Sequence, residues 1–177
     1  MPVTLNAKTG QIDLPVYLRK LDKRSHWGHS EDPRDSRTET AVAEIFQPSE
    51  MAFSLFKAAN DDDLYRIVVG LNSLRASLSQ QIDFVAFTES EIASAGIRLS
   101  ETPGETTCHS ANRLHVDGSA TRDSSLRQLC QDVFATNRQA FRVTKSEASE
   151  IAAHMQAFGC EAVVPDSACQ CVDPQHL

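Results

Sequence analysis

The chain lacks any long hydrophobic run, any excess of positive charge and any rich supply of aromatic residues. No apolar run approaches the ~18 residues that cross a bilayer, so no membrane-spanning segment and no membrane partner are expected. Lys and Arg number 17 against 24 Asp and Glu, a formal net charge of −7. Nucleic-acid binding draws its affinity from basic side chains gathered against phosphate, and the densest cluster, Arg19, Lys20, Lys23 and Arg24, is interrupted by Asp22. With aromatics at 6%, basic–aromatic interleaving for stacking on single strands is absent too. A nucleic-acid partner is therefore not expected.

Several signatures are also missing. There is no P-loop and no Gly-x-Gly-x-x-Gly, which argues against cradling of a nucleotide by a glycine-rich turn. No Gly-x-Ser-x-Gly elbow is present. The five cysteines are odd in number and lack the spacing of a secreted disulfide framework, so free thiols in a reducing compartment are expected. The first residues, MPVTLNAKTGQIDLPVYL, lack a charged leader followed by an unbroken apolar stretch, and a cytoplasmic location is the resulting expectation.

What is present suffices for one folded unit. At 177 residues the chain has the length of a single domain. Leu, Ile, Val and Phe make up about 23% of it, just above the level of roughly 20% below which disorder becomes the rule. An acidic body of this kind suits a soluble protein, or a partner with a basic surface.

The periodicity divides the chain into an irregular segment (1–35) with short extended stretches and a polar loop, a core (36–164), and a loosely held tail (165–177). Capping-box spacing, Ser/Thr-x-x-Glu, marks three helix starts: Ser36/Glu39, Thr88/Glu91 and Thr144/Glu147. The first predicts a short helix with Val42, Ile45 and Phe46 inward, ended by Pro48. Met51, Phe53 and Leu55 alternate as in a strand. Asn60 caps the clearest helix, with Asp61, Asp62 and Asp63 at the positive end of its dipole and Leu64, Ile67, Val68, Leu71, Leu74 and Leu78 on one stripe. The run 82–88 reads as a central strand, and Gly96 ends the helix that follows. A strand starts at 97–99, a loop occupies 100–112, and 113–117 is a strand ending at Gly118. A helix over 124–138, a strand at 141–144, a third capped helix with Ala148, Ile151 and Ala152 inward, and a closing strand at 161–164 complete the order. The fold class is α/β or α+β: a single domain, with a mixed sheet packed by about four to five helices.

One stretch concentrates chemistry. TPGETTCHSANRLHVDG (102–118) holds Cys108, His109, Asn112, His115 and Asp117. On a strand, His115 and Asp117 project to one face. They can hold a divalent metal such as zinc with His109 or Cys108 as a further ligand. Alternatively, Asp117 orients His115 as a general base for a Cys108 nucleophile. Asn112 is a candidate binding residue beside them.

HWGH (26–29) sets His26 and His29 around the only tryptophan, Trp27. A Trp in a polar loop either folds back onto the body or is held for a ligand or partner, and either histidine can join a metal site. Cys160, Cys169, Cys171 and His176 offer a third grouping, a structural zinc site without the usual Cys-x-x-Cys spacing.

The functional expectation is a non-catalytic interaction or regulatory module with a protein partner. A small hydrolase-type enzyme, metal-dependent or thiol-based, centred on Cys108, His109, His115 and Asp117, is the alternative. The structural zinc protein is third.

Overall fold

The computed structural model describes residues 14–21, 40–42, 52–73, 81–104, 109–120, 122–135 and 141–158. Six strands form one sheet: β1 Val16–Leu21, β2 Ala52–Ala58, β3 Ile82–Phe87, β4 Arg98–Glu101, β5 His115–Ser119 and β6 Phe141–Val143. Five helices accompany them: α1 Asp61–Ser73, α2 Glu89–Ser94, α3 His109–Asn112, α4 Asp123–Ala135 and α5 Lys145–Phe158. Residues 40–42 are helical as well. The strand order is β4-β5-β2-β1-β3-β6. The expected sheet packed by helices is thus present, as an α+β fold. Its mixed character narrows to an antiparallel one, because all five strand pairings run antiparallel.

The helix ends form for local reasons that the sequence carries. The Asp63 amide donates to Asn60 Oδ1 at 2.9 Å, and Asp63 in turn accepts from the Ala59 amide and from Arg66. Thr88 and Glu91 complete a reciprocal capping box on α2, and Thr144 and Glu147 do the same on α5. Gly96, at φ +69°, closes α2. Its amide donates to the Ala93 carbonyl while that of Ile97 reaches back to Ile92, and the buried Ile92 and Ile97 flank this paired closure. Ser36/Glu39, Ile45, Phe46, residues 74–80, the closing strand at 161–164 and the tail lie outside the described residues.

Two apolar layers sandwich the sheet. On one face Val16, Leu18, Phe56, Ile82, Phe84 and Ala86 meet Leu64, Ile67, Val68 and Leu71 of α1, Ala111 of α3, and Ala148, Ile151 and Ala152 of α5. On the other, Tyr17, Phe53, Leu55, Val85, Phe87 and Val116 meet Ile92 of α2 and Leu126, Leu129, Cys130 and Val133 of α4. β3 is buried at all six positions, with helices on both faces, and is apolar except for Asp83, which pairs with Arg142 at 2.7 Å. β1 has strands on both sides and unites the two layers. Val16 and Leu18 of β1 belong to one apolar layer and Tyr17 and Leu21 to the other.

Candidate functional site

At the far side of the sheet the packing changes. β5 alternates: Val116 and Gly118 are buried, while His115, Asp117 and Ser119 are half-buried. Gly118 stands opposite Phe53, and a Cβ there would lie 2.8 Å from the Phe53 Cζ, so the close approach of ring to backbone requires glycine. The register places Ser54, Asp117 and Ser100 in one row across β2, β5 and β4. Phe56 and His115 form the neighbouring row. β4 pairs with β5 alone among the described residues and forms one edge of the sheet. Three of its four residues, Arg98, Ser100 and Glu101, are exposed.

His115 and Asp117 share a face, as strand parity requires, and Thr102 organises both. The Thr102 carbonyl oxygen lies 2.9 Å from His115 Nδ1. A carbonyl only accepts, so Nδ1 carries a proton, and in the neutral imidazole Nε2 keeps the lone pair. The Thr102 hydroxyl, 3.1 Å from Nδ1, donates its proton to Asp117 Oδ2 at 2.8 Å. Asp117 Oδ1 faces Nε2 at 3.9 Å, beyond hydrogen-bond reach. The group that orients the imidazole is thus the Thr102 carbonyl, where the sequence suggested Asp117. The Phe56 ring lies at 77° to that of His115 with centroids 5.2 Å apart, an edge contact that fixes the imidazole from one side.

Beside this cluster opens a cleft of about 480 Å³, walled by Glu101 to Gly104 and by Asn112, Arg113 and His115. Its floor is tight. The Gly104 amide donates to the Asn112 carbonyl at 3.0 Å, and a Cβ at Gly104 would lie 2.9 Å from Asn112 Oδ1 and 3.2 Å from His115 Cβ. A glycine lets the chain after β4 close onto α3 and the start of β5.

Compared with known proteins, the chain matches no family model, no curated protein and no solved structure.

Of the residues singled out from the sequence, His115 and Asp117 meet, and Asn112 lines the cleft next to His115. His109 is the first residue of α3, but its side chain lies outside the described set. Cys108, Trp27, His26, His29, Cys160, Cys169, Cys171 and His176 lie outside the described residues altogether. Among the described residues, no three His, Cys, Asp or Glu side chains gather as a metal cluster. The described thiol, Cys130, is fully buried in α4, and burial pushes it up to about 12, which makes it a packing residue rather than a nucleophile. No helix among the described residues is long and apolar enough to cross a membrane.

Thr102, Gly104 and Arg113 were not apparent from sequence. Thr102 sits in a polar stretch that reads as loop, and its two bonds depend on how β4 and β5 pair. The one available signal is parity: Thr102 continues the face of Arg98 and Ser100 beyond the end of β4.

Proposed function

We propose that this protein is a non-catalytic interaction module that receives an extended segment of a protein partner along β4, with the adjoining cleft taking a side chain of that segment. The observation that carries this reading is the edge position of β4 beside β5. An edge strand offers backbone donors and acceptors to an added strand, and a pocket at its end supplies selectivity. Arg98 and Glu101 on that edge suit selective pairing over indiscriminate aggregation. The net charge of −7 favours a basic protein partner over nucleic acid, and a cytoplasmic site of action accords with the free thiols expected from the cysteine pattern.

A direct test selects displayed peptides on the folded protein and maps the binders by amide NMR. Binders should move the signals of Arg98–Glu101 together with Gly104 and His115. Binders that leave those signals unmoved, or a selection that yields none, would contradict the reading.

One observation favours the hydrolase-type alternative. Nε2 of His115 keeps its lone pair beside the Asp117 carboxylate, the arrangement of a general base whose cation is stabilised after proton transfer. In that reading Cys108 supplies the thiol, or His109 helps to hold a metal. Cys108→Ser and His109→Ala would then abolish turnover of an activated ester while leaving the fold intact.

A further inference from the structure

His115 and Asp117 each use one polar atom on Thr102 and keep the other. The imidazole gives Nδ1–H to the Thr102 carbonyl, and the carboxylate takes the Thr102 hydroxyl on Oδ2. What remains is a nitrogen lone pair on Nε2 and a carboxylate oxygen, Oδ1, 3.9 Å apart on one face of β5. An imidazole nitrogen with a carboxylate oxygen is a donor pair suited to a first-row divalent cation. A ligating imidazole commonly donates its second N–H to a carbonyl, and a ligating carboxylate is itself hydrogen-bonded. Here Thr102 supplies both supports.

The geometry points to a divalent-cation site of zinc type, with His115 Nε2 and Asp117 Oδ1 as its two protein ligands and water in the other positions. With ligand distances of about 2.0–2.2 Å, two donors of a tetrahedral shell stand about 3.4 Å apart. Oδ1 must therefore approach Nε2 by about half an ångström. Asp117 supplies that movement, since its side chain is 38% exposed, whereas that of His115, 12% exposed, is held between Thr102 and the Phe56 edge. The cleft alongside gives the cation and its waters a path to His115. With only two protein ligands, the site holds an exchangeable ion rather than the closed four-ligand shell of a structural zinc. It does not depend on strand addition at β4.

The test uses the full chain labelled with ¹⁵N-histidine and zinc chloride alone as the probe. Without zinc, His115 should show the tautomer with a protonated Nδ1 and a bare Nε2. Zinc should then shift the His115 Nε2 signal saturably. Asp117→Asn should weaken that saturation about ten-fold or more. Thr102→Val, which keeps the carbonyl and loses the hydroxyl, should weaken it by about ten-fold. The His115 backbone amide signal reports whether each variant keeps the strand. The wild-type titration needs no variant at all. Zinc that binds the other histidines or the thiols while His115 Nε2 stays unmoved would overturn the assignment. An Asp117→Asn protein that binds at His115 as tightly as the wild type would also overturn it. Neither result bears on the peptide test of β4, so the two readings fail separately.

Discussion

β3 and β5 lie in one sheet and are of similar length, yet their environments differ. β3 has helices on both faces and is buried at every position; β5 has one face packed and shows a half-buried polar residue at every second position. The difference follows from where helices were placed. α1 and α5 cover the face of β1 and β3 that carries Leu18 and Phe84, whereas the same face of β5 carries His115, Asp117 and Ser119. Full burial leaves a strand room for apolar packing and for a polar group only where it is paired, as Asp83 of β3 is with Arg142 at 2.7 Å. Burial on one face fixes the backbone just as firmly and leaves the other face available for polar groups at fixed spacing.

The comparison breaks if the two sides respond alike to substitution. Phe84→Ala, at a site with no exposure, should cost about 3–5 kcal/mol in urea unfolding, whereas Ser100→Ala should stay within about 0.5 kcal/mol. Comparable losses would mean that β4 is packed as heavily as β3.

Gly118→Ala tests the packed back of β5. Its Cβ would meet the buried Phe53 ring, and a loss of about 1–3 kcal/mol is expected in the same assay. A neutral effect would show that the ring yields and that this face is loosely filled.

Cys130 reports on the same layer through pH. Its folded pKa is raised by burial from 9.0 to about 12, so the thiol form is favoured in the folded state. Its contribution is therefore complete below pH 9.0 and is lost as pH rises towards 12. Over that window the stability of the wild type should fall relative to Cys130→Ala by up to about 1.4 kcal/mol per pH unit. Parallel curves for the two proteins would show that the layer admits water.

A smaller loss than at Gly118 is expected where the packed back meets the open edge. Gly96, at positive φ between α2 and β4, should cost about 1 kcal/mol when replaced by Ala, read as a shift in the urea midpoint. No shift would mean that the left-handed closure of α2 carries no strain for a side chain.

These sites also separate what is legible in sequence from what is not. Asn60, Thr88/Glu91, Thr144/Glu147 and Gly96 act on amides or carbonyls within a few residues, so spacing alone identifies them. The inward stripes of α1, α4 and α5 follow from the helical period. The central place of β1 is not legible, because pairing Tyr17 with both Lys57 and Phe87 joins residues far apart in the chain. At the site, the shared face of His115 and Asp117 follows from strand parity. The role of Thr102 does not, since it requires the β4–β5 register. Nor does any pattern reveal which imidazole nitrogen keeps the lone pair.

The central claim is that β4 is an edge strand among the described residues and open to pairing, while β3 lies between two strands. Amide hydrogen exchange of the full chain, resolved residue by residue, tests it most directly. The account predicts that amides of β3 exchange only with global unfolding, and that within Arg98–Glu101 the amides turned away from β5 exchange orders of magnitude faster than those turned towards it. Uniform protection along β4, equal to that of β3, would show the edge to be already occupied and would contradict the account.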